Sequence, residues 1–101
     1  MIIESQDKTK IVNFDNLTQI YITQDEEETA TFIRYETVDS LYYDLGEYKT
    51  EERAKEVLQG IIAVYQASKM FTCTGLEVQE IIADKYKEKG IKPFKFEMPE
   101  E

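Results

Sequence analysis

The residue types that most often carry catalysis are scarce in this chain of 101 residues. It has no histidine, which removes the commonest general base and metal ligand, and with them the Ser-His and Cys-His nucleophile systems. Its one cysteine, Cys73, precedes a predicted helix that could lower a thiol pKa, but a small buried residue is the simpler interpretation. The four glycines are too far apart for a phosphate-binding loop. We predict that the chain is not an enzyme and holds no cofactor.

Four adjacent acids, Asp25, Glu26, Glu27 and Glu28, form the densest group of chemically useful side chains. They could attract a hard cation, but they lack the alternating ligands and the turn glycine of a calcium loop. A hydrated hairpin tip is the alternative, and we predict no metal site. Acids could also be paired for glycoside chemistry, but so short a chain would struggle to build the cleft which that reaction needs. If the four acids have a role, it is contact with a basic partner.

Positive and aromatic side chains offer a second possible site. Arg34 lies in a predicted strand, on the same face as Phe32, and arginine beside aromatic rings is suited to phosphate or adenine recognition. On this basis the predicted ligand-binding residues are Arg34, Tyr35, Tyr42, Tyr43, Arg53, Lys85 and Lys89. Two alternatives stay open: Arg34 could form an ion pair with Asp44 or Glu47, and the tyrosines could simply fill the core and its rim.

The net charge of −9 is unevenly spread along the chain. Residues 1–50 carry 11 acids and 4 bases, or −7, while residues 51–101 carry 10 acids and 8 bases, or −2. Such a surface repels nucleic-acid phosphates, so we predict no direct DNA or RNA binding. It would suit a basic partner, although acidity also simply gives solubility. Without a long apolar run or a signal-peptide pattern, and with one cysteine, we expect no membrane contact and a cytoplasmic location.

The elements that must position these residues change character near residue 50. Before it, short runs rich in β-branched and aromatic residues alternate with polar turns, which predicts an antiparallel β-meander. A hairpin is expected across the turn at residues 5–9, followed by strands at 17–23, 29–35 and 41–45. Alternation places Thr31, Ile33 and Tyr35 on one face, and Leu41, Tyr43 and Leu45 on one face of the next strand.

After residue 50 the apolar period becomes 3.6, which predicts an amphipathic helix at about 50–67 with Thr50 as its N-cap. Its apolar stripe is Ala54, Val57, Leu58, Ile61, Ile62 and Tyr65. A short strand at 69–73, a second, shorter helix at about 75–89 with the stripe Val78, Ile81, Ile82 and Tyr86, and a strand at about 93–98 complete the chain. We predict a single α+β domain, 1–101, in which the first helix covers one face of the meander.

One stretch resembles a known family. The run Leu45-Gly46-Glu47-Tyr48-Lys49-Thr50-Glu51-Glu52-Arg53-Ala54-Lys55-Glu56-Val57-Leu58-Gln59 is similar to the signature of small uncharacterised proteins from Firmicute phages and prophages. In them a β-meander leads into this helix, and a final strand and acidic tail follow, as in residues 96–101 here. The resemblance is weakest over residues 69–92. It implies a phage origin and brings no catalytic motif with it.

Small phage proteins of this size often counteract host defence, and that implied role leads to three hypotheses. The first, which we prefer from the sequence, is an oligomeric sponge that sequesters a nucleotide-derived immune signal in the host cytoplasm, as Thoeris anti-defence proteins do. The surplus apolar stripe at 78–86 favours such a homo-oligomer. The second is an acidic inhibitor that blocks a host nuclease or other defence protein through Asp25–Glu28, as some anti-CRISPR proteins do. The third is a phage structural or accessory module without a ligand.

Overall fold

A computed structural model describes residues 1–27, 29–72 and 94–101, with Gly75, Glu80, Asp84, Lys85, Lys87 and Glu88 between them. The described elements are β1 (Ile2–Glu4), β2 (Ile11–Asn13), β3 (Leu17–Gln24), β4 (Thr31–Thr37), β5 (Tyr42–Tyr48), α1 (Glu51–Thr72) and β6 (Lys95–Glu97). One 3-10 turn, Phe14–Asn16, joins β2 to β3. The α+β class predicted from the sequence is confirmed.

The first sheet has the strand order β2-β1-β6. The predicted N-terminal hairpin is confirmed: β1 runs antiparallel to β2, with Ile3 opposite Val12. The turn between them is held by the Asp7 carboxylate, whose Oδ1 accepts from the hydroxyls of Ser5 and Thr9, both at 2.7 Å. On the other side of β1 lies β6, which is parallel to it, and Ile3 between the two is fully buried.

The second sheet has the order β3-β4-β5 and is antiparallel throughout, which confirms the predicted meander. The predicted alternation along β4 is also confirmed, because Thr31, Ile33 and Tyr35 are all buried on the face turned towards the helix. The polar turn at Thr37–Leu41 closes with a hydrogen bond from the Thr37 N–H to the Leu41 carbonyl. Ser40 takes a left-handed backbone conformation there, with φ of 64°.

Leu41, Tyr43 and Leu45, which were predicted to share one face of their strand, differ widely in burial. Leu45 is 2% exposed, but Leu41 and Tyr43 are 53% and 41% exposed. The register explains part of this, since Ile33 lies opposite Gly46 while Arg34 lies opposite Asp44, which leaves Leu45 as the extra residue of a β-bulge. After the bulge the phase reverses, and Tyr48 becomes the next buried side chain.

Helix α1 begins where the sequence predicts, because the Thr50 Oγ1 accepts from the Arg53 N–H at 3.1 Å and caps the first turn. Its buried stripe is narrower than predicted. Ala54, Val57 and Ile61 lie in the core, but Ile62 is 40% exposed and was wrongly assigned to it. The stripe continues instead through Val64 and Ala67.

The short strand predicted at residues 69–73 is wrong, since α1 continues to Thr72. Tertiary contacts explain the extra turns. The Ser68 hydroxyl donates to the Val64 carbonyl one turn back and accepts from the Phe94 N–H, each at 2.8 Å. The ring of Phe71 meets that of Phe94 edge-on, with centroids 5.4 Å apart. These contacts give the last turns of α1 a tertiary partner, Phe94, that β-propensity alone does not reveal.

The C-terminal strand is confirmed but shorter than predicted, covering Lys95–Glu97. Phe94 precedes the strand with φ of 74°, which is rare for a bulky residue, and this backbone conformation ends the extended segment predicted at about 93–98. Met98 is buried, while the Phe96 ring lies against Gly60 of α1. Most of the predicted second helix at 75–89, including Val78, Ile81, Ile82 and Tyr86, lies outside the described residues and stays a prediction.

Candidate interaction surface

Arg34 lies on the face of the second sheet that points away from α1, because its neighbours Ile33 and Tyr35 point inwards. Its Nε donates to the Asp44 Oδ1 at 2.7 Å, and its guanidinium carbon lies 4.9 Å from the centre of the Tyr42 ring. The hydrogen bond that Arg34 donates to the Asp44 carboxylate raises the pKa of Arg34 above its ordinary value. The ion-pair alternative of the sequence analysis is confirmed, and an anionic ligand would have to compete with Asp44 for this arginine.

Tyr35 and Tyr43 form a separate pair on the opposite face of the sheet. Their ring centroids are 5.5 Å apart, and the Lys10 Nζ lies 5.4 Å from the centre of the Tyr43 ring. Burial, followed by the nearby Tyr43, raises the pKa of Tyr35 above its ordinary value. Tyr42 and Tyr43 therefore face opposite ways, as adjacent strand residues must. Neither is a core residue, since they are 61% and 41% exposed.

Arg53 lies at the start of α1, beyond the far end of β5. It borders a pocket of about 370 Å³ that is lined by Thr29, Glu47, Tyr48, Lys49, Arg53, Glu100 and Glu101. The Arg53 Nε donates to the Glu101 carbonyl at 2.8 Å, and the Tyr48 hydroxyl donates to the Pro99 carbonyl at the same distance. The C-terminal tail is thus held against this pocket. Burial raises the pKa of Tyr48 to about 12, which Arg53 opposes to a smaller extent.

The predicted ligand-binding residues do not come together among the described residues. Arg34 and Tyr42 share one face of the sheet, Tyr35 and Tyr43 share the other, and Arg53 borders a different pocket. Lys85 is exposed, and Lys89 lies outside the described residues. The length of β5 alone, at ~3.3 Å per residue, separates the Tyr42 end from the Arg53 end by roughly 20 Å.

The acidic loop has a clear structural task at its first residue. The Asp25 Oδ1 accepts from the Thr29 N–H at 2.7 Å and from the Ala30 N–H at 3.2 Å, and its Oδ2 accepts from the Thr29 hydroxyl at 2.6 Å. The hydrogen bond from the Thr29 hydroxyl is the main reason that the pKa of Asp25 lies below its ordinary value. Glu26 and Glu27 are exposed, and Glu28 lies outside the described residues. Asp25 therefore closes the turn between β3 and β4.

The most exposed apolar group lies at the opposite end of the sheet, where β4 turns into β5. We call it the hairpin surface: Val38, Asp39, Leu41, Tyr42, Tyr43 and Asp44. Val38 is 80% exposed, Tyr42 is 61% exposed and Leu41 is 53% exposed. Val38 was not among the residues predicted from the sequence, and Leu41 was predicted to share a face with Leu45. The sequence does carry a signal for this surface. Val38 and Leu41 lie on either side of the polar pair Asp39-Ser40, and apolar residues beside a surface turn are left in water.

Two observations bound the chemistry of the described residues. In 1–27, 29–72, 94–101 and the isolated positions between, no three cysteine or acidic side chains are grouped so that they could hold a metal ion. No helix in that part of the chain has the length and apolar character to cross a membrane.

Comparison with models of protein families, with curated proteins and with solved structures finds no match for this chain. The phage-family resemblance therefore stays a prediction.

Proposed function

We propose that this chain works by binding a protein partner through the hairpin surface, without catalysing a reaction. One observation carries the proposal. Of the nine large apolar side chains that are exposed in the described part of the chain, four lie within the six residues 38–43: Val38, Leu41, Tyr42 and Tyr43. They gather at one end of the sheet, with Tyr42 on one face and Tyr43 on the other, and exposed apolar and aromatic side chains concentrated in this way are the usual centre of a protein interface.

The charge around the hairpin surface indicates the chemistry of the partner. Asp39 and Asp44 flank the apolar residues, and Asp44 is already matched by Arg34. The half of the chain that contains this surface carries −7. A partner with a basic rim around an apolar groove would complement both features. Such a partner fits the counter-defence role that the phage resemblance implies, in which it would be a host nuclease or another defence protein.

The described groups with perturbed pKa values support a non-catalytic function. Perturbed acids in a cleft are a sign of an active site, but structural networks produce the same shifts. Here Asp7 and Asp25 each accept hydrogen bonds that close their own turns, and the hydroxyl of Tyr48 fastens the tail. Each shift has a local structural cause, and none of the three carries a reactive arrangement of the kind that nucleophilic catalysis requires.

Sequestration of a nucleotide-derived signal receives less support than protein binding. Small-molecule sites are concave and gather a few convergent polar groups. The predicted ligand residues Arg34, Tyr42 and Arg53 do not line one pocket, and the pocket beside Arg53 includes the acids Glu47, Glu100 and Glu101. Phosphates entering that pocket would meet these carboxylates.

Differential capture tests the proposal. The immobilised chain is exposed to lysate of a bacterial host, beside a hairpin variant, Leu41→Ser with Tyr42→Ser, and a control variant, Ile11→Ser with Ile62→Ser. The control removes two exposed apolar side chains, 66% and 40% exposed, from outside the hairpin surface. We expect a protein that the wild type and the control retain and the hairpin variant loses. If no captured protein depends on the hairpin, and a cyclic nucleotide raises the melting temperature, the proposal is wrong.

A further inference from the structure

The two outer edges of the second sheet differ in how they are covered. At the β5 edge, Gln6 covers the strand: its N–H donates to the Leu45 carbonyl at 2.9 Å, and its side-chain amide bonds both the N–H and the carbonyl of Glu47, each at 2.8 Å. At the β3 edge, the Leu17 N–H donates to the Phe14 carbonyl at the first residue of the strand, and the described residues supply no further backbone hydrogen bond beyond those to β4. An uncovered edge strand presents a row of N–H and carbonyl groups to any strand that can pair with it.

The composition of β3 makes this edge unusual for the chain. Its eight residues, Leu17–Gln24, carry no charge, although 33% of all residues are charged. Edge strands usually carry charges that discourage pairing. The inward-facing Ile20 and Ile22 pack against the core but are only partly buried, whereas Ile33 on the neighbouring strand is fully buried. A further strand beside β3 would cover both isoleucines.

The order of residues along β3 is nearly the same in both directions. About Tyr21 as the centre, Ile20 mirrors Ile22, Gln19 mirrors Thr23, and Thr18 mirrors Gln24. Two copies paired antiparallel with Tyr21 opposite Tyr21 would therefore place isoleucine opposite isoleucine and polar opposite polar. Cross-strand pairs of matched character stabilise a sheet, and directly opposite residues lie on the same face. Shifting the centre to Ile20 or Ile22 would set a polar residue opposite an isoleucine.

We propose that β3 pairs with the β3 of a second copy of this chain, antiparallel about a twofold axis at Tyr21, to form a continuous six-stranded sheet. This arrangement is isologous, as twofold interfaces are, and it leaves the hairpin surface of each copy at the outer strands. It also specifies the homo-oligomer that the sequence analysis expected from other residues.

The symmetry of β3 about Tyr21 favours a second copy over an unrelated strand as the occupant, and charge restricts where two copies can meet. Two chains of −9 repel each other at long range, so the uncharged strip is where they can approach. Screening by salt should therefore strengthen the self-association. The proposed basic partner of the hairpin surface should show the opposite response, because salt weakens an attraction between unlike charges. The two proposals can thus fail independently.

Sedimentation of the full chain over a range of concentrations and salt tests the pairing. We expect a concentration-dependent species of twice the mass of one chain, favoured by salt. Tyr21→Glu places two carboxylates opposite each other at the axis and should abolish the dimer. Within each copy the new carboxylate lies beside Arg34, so the monomer should stay folded as judged by circular dichroism. Ile11→Glu adds the same charge to an edge strand of the first sheet and should still dimerise. A wild type that stays monomeric at every concentration, or a Tyr21→Glu dimer, would overturn the pairing.

Cysteine crosslinking tests the register, with Cys73→Ser as the background. In the proposed register the two copies of Tyr21→Cys have Cα atoms about 4.5–5.5 Å apart, within the range that a disulfide bridges. Two copies of Thr23→Cys would be offset by four residues, or roughly 13 Å. Mild oxidation should therefore link Tyr21→Cys and leave Thr23→Cys unlinked. Equal linking of both variants, or preferential linking of Thr23→Cys, would contradict the register.

Discussion

The side-chain amide of Gln6 pairs with the backbone of Glu47 as if it were a strand residue: its Oε1 accepts from the Glu47 N–H and its Nε2 donates to the Glu47 carbonyl, both at 2.8 Å. The same Nε2 lies within hydrogen-bond distance of the Pro99 and Glu100 carbonyls, at 3.2 and 2.9 Å. One side chain thus ties the first sheet, the second sheet and the C-terminal tail together, across 41 and 94 positions of sequence.

Removing that amide should destabilise the fold more than removing a surface glutamine. Gln6→Ala removes the paired hydrogen bonds to Glu47 and the contacts to the tail, and each lost hydrogen bond should cost about 0.5–1.5 kcal/mol. Gln19→Ala is the matched control, since Gln19 is exposed and bonds only the Glu36 side chain among the described contacts, and its loss should stay within about 0.5 kcal/mol. Urea denaturation measures both. Equal midpoints for the two variants would show that Gln6 does not join the elements.

The contact between Tyr48 and the C-terminal tail should affect how the unfolding free energy falls at alkaline pH. The ordinary tyrosine pKa is 10.0, and burial raises that of Tyr48 to about 12. Because the folded pKa is the higher one, its contribution is complete below pH 10 and is lost as the pH rises towards 12. Tyr48→Phe should therefore flatten part of the fall in unfolding free energy over that interval. An unchanged slope in the variant would contradict this role.

The turn at Asp7 should contribute to the loss of unfolding free energy at acid pH. Hydrogen bonds from the Ser5 hydroxyl, the Thr9 hydroxyl and the Thr9 N–H lower the pKa of Asp7 from 3.8 to about 2. A carboxyl with a lowered folded pKa contributes above its ordinary value, and that contribution is lost as the pH falls from about 4 towards 2. We expect Asp7→Asn to reduce the slope of unfolding free energy against pH in this interval, and a variant with the wild-type slope would show that Asp7 does not act in this way.

Gly60 should be the position where α1 responds most to an added methyl group. Alanine normally stabilises a helix interior over glycine by about 0.5–1 kcal/mol. A Cβ at Gly60, however, would lie 3.1 Å from the Phe96 Cε2, closer than ordinary packing allows. Gly60→Ala should lower the free energy of unfolding in the wild type and raise it when Phe96→Leu makes room. A stabilising effect of the same size in both backgrounds would show that α1 and β6 are not packed this closely.

The sequence was sufficient for features that are local in the chain. The hairpin across the turn at Asp7, the meander and the Thr50 cap each depend on residues within a few positions of one another, and each is confirmed. The bulge at Leu45 and the amide of Gln6 depend on partners far away in sequence, and no periodicity reports them. The same holds for the last turns of α1, which Phe94 stabilises from 26 positions away.

The candidate surface also contains features that the sequence predicted and features that it did not. The pairing of Arg34 with Asp44 was among the sequence-based alternatives, because neighbouring strands bring such residues together. The exposure of Leu41 and Val38 was not foreseen, since a pattern of alternating side chains does not say where a sheet ends and its cover stops. Whether an apolar residue at a turn is core or surface depends on the element packed against it.

The most direct test of protein binding through the hairpin surface is the affinity of the captured partner for three forms of the chain, measured by calorimetry at low and high salt. We predict that Leu41→Ser with Tyr42→Ser weakens binding at least about tenfold, as loss of an aromatic interface anchor does. Salt should lower the affinity of the wild-type chain for the partner. The control, Ile11→Ser with Ile62→Ser, should bind like the wild type. Equal affinity of all three forms, independent of salt, would contradict the proposed surface.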